Sequence, residues 1–334
     1  MAYTTIDDSE AYFQAKIYTG NGSTQSLTFD GDTDMSPDLV WIKSRSRTDK
    51  HTAWDTVRGT GRCLFPSEDN ADEAQSTGVT AFGSDGFSLG AMNDVNYSSA
   101  TFAAWCWKET ADAGFDIVSY TGNGSARTIS HSLSAVPNFM MVKNVGASSD
   151  WRVYTETGGN GKWMQLNDNS ALQTASTIWN DTSPTSSVFS VGTSGGVNTN
   201  TVAYIAYLFA EKQGFSKFGT YYGTDSDDGP FCWCGFRPAM VFHKRVTDTT
   251  RAHWIMYENK SNPHNPVDTI RAMSTTDADA DWGTNEDIDF YANGFKWRSG
   301  SGASAYGNDA GTYIFAAFAE APFVNSNGVP CNAR

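Results

Sequence analysis

The 334-residue chain has no uninterrupted apolar run of about 18 residues, the length a helix needs to cross a bilayer, so nothing in it reads as a membrane span. Met1 to Phe13 carry Asp7, Asp8 and Glu10 but neither a basic leader nor an apolar stretch, and do not read as a secretory signal. The expectation is a protein made in the cytoplasm that stays there or leaves inside a particle released by lysis. Cysteine is scarce. Cys63, Cys106, Cys232, Cys234 and Cys331 form no disulfide framework, and Cys232-Trp233-Cys234 lacks the second ligand pair of a zinc site. Positive charge is in deficit, with 23 Lys and Arg against 37 Asp and Glu, a formal net charge of −14. Such a surface repels phosphate backbones and anionic bilayers, which argues against nucleic acid and membrane partners. Sustained helical periodicity is missing too, which leaves short strands joined by turns.

What the chain does have is a repeat. Tyr18-Thr19-Gly20-Asn21-Gly22 returns verbatim as Tyr120-Thr121-Gly122-Asn123-Gly124 and in degenerate form as Tyr221-Tyr222-Gly223-Thr224-Asp225. The spacing, about one hundred residues, is that of a domain. Other landmarks keep the same order. Apolar strands ending in lysine read Val40-Trp41-Ile42-Lys43, Met140-Met141-Val142-Lys143 and Met240-Val241-Phe242-His243-Lys244. Gly86-Phe87, Val188-Phe189 and Gly294-Phe295 come next, and each copy closes on an aromatic strand: Phe102–Trp107, Tyr204–Phe209 and Tyr313–Phe318. Neither face of these closing strands is polar, so each belongs at the centre of a sheet covered on both sides. The reading is an all-β chain of three tandem β-sandwich modules, jelly-roll or lectin-like. Residues 1–16 read as an arm, 17–111, 112–212 and 213–322 as the modules, and 323–334 as a tail; the short linkers make the modules touch in a stiff array.

The first copy resembles a known family. The residues that carry the resemblance run from Tyr18-Thr19-Gly20-Asn21-Gly22 through Val40-Trp41-Ile42-Lys43-Ser44-Arg45-Ser46, Asp55-Thr56-Val57-Arg58-Gly59-Thr60-Gly61 and Ser84-Asp85-Gly86-Phe87-Ser88-Leu89-Gly90 to Ala104-Trp105-Cys106-Trp107-Lys108. This stretch resembles an uncharacterised repeat domain of structural proteins in tailed bacteriophages, many of them marine. Phe318-Ala319-Glu320-Ala321-Pro322-Phe323 looks like that family as well. The second and third copies lack a clean counterpart of Val57-Arg58-Gly59. The resemblance implies a virion component and brings no catalytic residues with it.

Candidate chemistry is sparse. Gly192-Thr193-Ser194-Gly195-Gly196 matches the nucleophile-elbow pattern, which requires a strand before the serine and a helix after it; Val197 to Thr201 reads instead as loop and strand. His51, His131, His243, His253 and His264 form no paired ligand motif. Asp30, Asp32 and Asp34 offer oxygen ligands of the kind Ca²⁺ takes, but without the EF-hand pattern, and solvated turns are the simpler reading; no other cofactor is implied. Trp151, Trp163, Trp179, Trp282 and Trp297 lie outside the core-patterned strands and are the candidates for stacking on a glycan or contacting a partner.

The functional expectation is a non-enzymatic virion protein, displayed on a tail fibre or tail tip and contacting host glycans. The alternative is a capsid decoration protein that stabilises the shell, and a carbohydrate-active enzyme stands as the remote third. Expected partners are other virion proteins and further copies of the chain, a trimer among the options.

Overall fold

Each of the three repeats builds its main sheet in one order, which follows from the two-sided apolar closing strands. In the computed structural model, which describes residues 4–281, 287–298 and 306–332, Thr101–Trp107 lies between Phe13–Thr19 and Leu39–Ser44, with Thr52–Asp55 outside the latter. Ala203–Phe209 lies likewise between Phe115–Thr121 and Phe139–Asn144, followed by Arg152–Thr155. Gly311–Pro322 lies between Ser216–Gly223 and Phe236–Arg245, followed by Ile255–Glu258. All these pairings are antiparallel, and their registers correspond: Tyr18 faces Phe102, Tyr120 faces Tyr204 and Tyr221 faces Tyr313. The chain is all-β, and among the described residues helix is confined to single turns.

A small sheet covers the outer face of each main sheet: Gln25–Leu27, Phe87–Leu89 and Val79–Phe82 in the first module, Arg127–Ser130 and Val188–Val191 in the second, Phe231–Trp233, Gly294–Trp297 and Ile288–Tyr291 in the third. Val40, Ile42, Ala104 and Cys106 fill the first of these outer layers, and Val142, Tyr204, Ala206 and Leu208 the second. The alternate residues of the same strands turn the other way, into a core drawn from all three modules. At its centre Trp107, Phe209 and Phe318, which hold equivalent register positions, meet edge to face at 6.2, 5.7 and 5.5 Å. That geometry is the one aromatic quadrupoles favour.

The modules therefore do not form a string, as their order along the chain suggested; they close into a ring. The loop after the fourth strand of each module docks on the next module. Asp72 N–H donates to the Val145 carbonyl, Leu172 N–H to Val246, and Asp279 N–H back to Arg45 in the first module. Side chains repeat this pattern. Trp151 Nε1 donates to the Phe65 carbonyl at 3.1 Å and Trp254 Nε1 to that of Gln165 at 2.7 Å, while His51 Nε2 reaches Ala272 at 3.1 Å. The shared aromatic core explains the closure, since three separate sandwiches would each leave an aromatic face in water.

One boundary differs from the sequence reading. The opening strand starts at Phe13, inside the segment read as an arm, because Phe13 and Ala15 point into the shared core. The tail folds back, with Ser326 N–H donating to Asp7 Oδ1 at 2.7 Å and Arg237 Nη1 to the Asn332 carbonyl at 2.9 Å.

Candidate functional site

The repeated motifs are locks of the fold. Tyr18, Tyr120 and Tyr221 each donate a hydroxyl hydrogen bond to the backbone just before a buried asparagine: the carbonyls of Val95, Val197 and Gly307, at 2.7, 2.7 and 2.8 Å. Those asparagines are Asn96, Asn198 and Asn308, each fully buried. Their Oδ1 atoms accept from the backbone N–H of Asn21, Asn123 and Thr224 at 2.8, 2.9 and 2.8 Å, which pins the turn of the motif. Glycine is required at Gly20, Gly122 and Gly223, because a Cβ there would sit 2.1 to 2.2 Å from a carbonyl oxygen of that same segment. Lys43, Lys143 and Lys244, fully buried, each donate to loop carbonyls, including those of Arg47, Ser149 and Ala252. Burial draws the first two ammonium groups down to about 8 and Lys244 to about 7.

Most of the predicted contact tryptophans are structural, which corrects the sequence reading. Trp151, Trp179 and Trp297 are fully buried, Trp151 in the shared core and Trp179 in the second outer layer. Trp151 comes from a loop, Trp179 from a single helical turn and Trp297 from a short outer strand, and each indole fills core space, so a weak strand pattern did not mean exposure. Trp163 is half-buried under the Arg152 guanidinium, 4.4 Å from its ring centre. Trp282 lies outside the described residues. Asp30, Asp32 and Asp34 are exposed, and Asp30 pairs with Lys16. Among the described residues no group of three or more His, Cys, Asp or Glu is placed to hold a metal ion.

The serine of the elbow pattern also sits differently from its sequence reading. A strand, Val188–Val191, does precede Ser194 and a one-turn helix, Gly195–Asn198, does follow it. Ser194 Oγ, however, caps that turn by accepting from Gly196 N–H at 3.3 Å, in unstrained extended backbone. The first module builds the same turn, Asn93–Asn96, behind Met92, so the turn exists to deliver the buried asparagine.

The repeats act as internal controls for what the fold requires. Leu27, Ile129 and Cys232 hold one position, paired with Phe87, Phe189 and Phe295. On either side of it the first module presents Ser26 and Thr28 to solvent and the second presents Thr128 and Ser130. The third presents Phe231 and Trp233, 45% and 54% exposed. Nearby in sequence, exposed Thr19 and Thr121 are matched by Tyr222, 61% exposed. Three large aromatic rings thus stand in water where the same fold elsewhere uses a small hydroxylated residue. The alternation around Cys232 and Cys234, set against the other two copies, is the sequence signal that would have found them.

Trp233 is held from several sides. Its neighbours Cys232 and Cys234 are buried, and burial pushes the Cys232 thiol up to about 12, so both act as apolar anchors. Phe323, from the tail, meets the indole edge to face at 5.8 Å, and Tyr291 meets Phe231 at 6.0 Å. Beside Trp233 opens a cavity of about 370 Å³ whose walls include Phe323, Gly235, Gly214 and the ion pair of Glu211 with Lys217, 2.7 Å apart. The equivalent junction between the first and second modules carries Glu109 and Asp116 instead. There burial, followed by a hydrogen bond with Asp116, raises the Glu109 carboxyl to about 7.

The chain belongs to the family described as Domain of unknown function (DUF7483), whose model matches residues 8–322 in one span and thus takes in all three modules. No curated protein matches the chain in sequence.

Proposed function

We propose that this protein is a non-enzymatic component of a tailed-phage particle, displayed on its surface and contacting host glycans. The observation that carries this reading is the substitution of Phe231, Trp233 and Tyr222 for the serines and threonines at equivalent places, with Trp233 on the wall of a cavity that the Glu211–Lys217 pair also lines. Exposed aromatic residues that the fold does not need cost solubility, and a binding surface is the usual reason to keep them. The virion setting rests on the resemblance of the first copy to a phage structural repeat. An acidic surface and a ring that uses its motifs as internal locks both suit a scaffold more than a catalyst.

The capsid-decoration reading draws on a different observation. A ring with threefold pseudosymmetry, joined at all three seams and carrying its own core, makes a compact plug that needs no second chain to present a threefold outline. Particles lacking the protein separate the two readings. Loss of adsorption with shell stability intact supports the glycan-binding reading; a shell that breaks at lower temperature while adsorption persists supports decoration. Particles that keep both properties defeat both.

A further inference from the structure

We infer that the cleft beside Trp233 binds a neutral pyranose, stacking the sugar's C–H face on the indole while Glu211 and Lys217 take its hydroxyl groups. This deepens the glycan-binding reading and rests on it. The cavity, about 370 Å³, falls within the range of small-ligand sites, about 300–1,000 Å³, and is open to solvent at Trp233.

The chemistry of the walls selects among ligand classes. A cation would need an aromatic cage or a free carboxylate, but Trp233 and Phe323 pack edge to face on each other, 5.8 Å between ring centres, with no gap between them for a cation, and Glu211 is already paired with Lys217. An anionic sugar would find the Glu211–Lys217 pair neutral at close range and would meet a chain of net charge −14 at long range. A wholly apolar ligand would bury the ion pair without replacing its water. A neutral sugar avoids all three costs. Its hydroxyls both donate and accept, so vicinal hydroxyls can satisfy a carboxylate oxygen and an ammonium held side by side, here each one-third exposed. Its apolar face suits an indole that Phe323 already braces, so little side-chain freedom is lost on binding.

The test uses the full chain and ligand-observed NMR saturation transfer. The probes are methyl glycosides of glucose, galactose and mannose, with N-acetylneuraminic acid and choline as charged counterparts. The expected result is transfer to ring C–H protons of at least one neutral glycoside, about tenfold weaker binding in Trp233→Ala, and most of the binding kept in Trp233→Phe. Binding of a charged probe alone, or neutral binding that Trp233→Ala leaves unchanged, would overturn the assignment. Purified polysaccharide from the host surface then tells the two levels apart. If the chain binds it and Trp233→Ala binds equally well, this cleft is wrong and the glycan reading stands. If the chain binds no saccharide at all, both fall.

Discussion

His51 of the first module reaches the backbone carbonyl of Ala272 in the third, and this contact closes the ring. Trp41 Nε1–H donates to His51 Nδ1 at 2.9 Å, which places the imidazole proton on Nε2, 3.1 Å from the Ala272 oxygen. The histidine is thus neutral and fixed in tautomer. Burial, followed by the nearby Lys43 charge, holds its pKa well below the usual value. At the other two seams an indole N–H does the same work, from Trp151 and Trp254.

Replacing His51 by Phe takes the Trp41 N–H's acceptor away inside the seam and leaves the Ala272 carbonyl only the long Thr275 N–H contact at 3.4 Å. The expected loss is about 2–4 kcal/mol, read from urea unfolding at neutral pH. A midpoint unchanged from the parent would mean that the first and third modules are not held together there.

His243 predicts an acid sensitivity with a definite sign. It is fully buried among Tyr221, Tyr257 and Trp297, neither ring nitrogen has a hydrogen-bond partner among the described residues, and burial lowers its pKa to about 3. Between about pH 6.5 and pH 3 the unfolded chain takes up a proton here that the folded chain refuses, so stability falls as pH falls. From pH 7 to pH 5 this one group costs about 2 kcal/mol, at 1.36 kcal/mol per pH unit. His243→Phe should remove that slope and raise stability at neutral pH, as checked by thermal melts in a pH series. An identical slope in parent and variant would show that the ring is solvated.

Glu109 works in the opposite direction. Its carboxyl, raised to about 7 beside Asp116, keeps a proton that the unfolded chain has already lost, so its contribution weakens as pH rises from about 4.5 through 7. Glu109→Gln should flatten this part of the profile and raise the melting temperature at pH 8 relative to the parent. A variant that melts lower at pH 8 and unchanged at pH 5 would refute a shared proton.

Asn198→Ala tests the lock that all three modules share. Asn198 Nδ2 donates to the carbonyls of Ser125 and Gly192, both at 2.7 Å, and Oδ1 accepts from Asn123 N–H. Its loss leaves three backbone groups short of a partner, at a cost of about 3 kcal/mol. Amide exchange at Asn123 should speed up with it, and an Asn123 amide as protected as before would show that the turn holds itself.

At the axis, Phe209→Ala should cost about 3–5 kcal/mol and weaken all three modules together, because Phe209 touches both Trp107 and Phe318. Differential scanning calorimetry checks the cooperativity: the expected trace is one lowered transition. A split into separate transitions, with two left at the parent temperature, would show that the modules are independent.

Much of the fold was legible in the chain, because it depends on local pattern. Period-two alternation put Phe102–Trp107, Tyr204–Phe209 and Tyr313–Phe318 at the centres of their sheets, and the threefold return of Tyr-x-Gly marked where each module begins. The absence of helical periodicity was enough for an all-β class. Other features depend on contacts between residues far apart in sequence, and no local pattern encodes those. Trp107, Phe209 and Phe318 read only as buried; that they meet one another, and so turn a string of modules into a ring, follows from how three apolar faces share one core. Exposure was decided in the same way. Trp151 and Trp297 looked free because no two-sided apolar pattern surrounds them, yet the first module covers Trp151 and the main sheet of its own module, through His243 and Tyr257, covers Trp297, while Trp233 reaches solvent at the edge of a small sheet that nothing in the chain's local pattern places there. Alternation says which way a side chain points, and only the tertiary structure decides what, if anything, lies on that side.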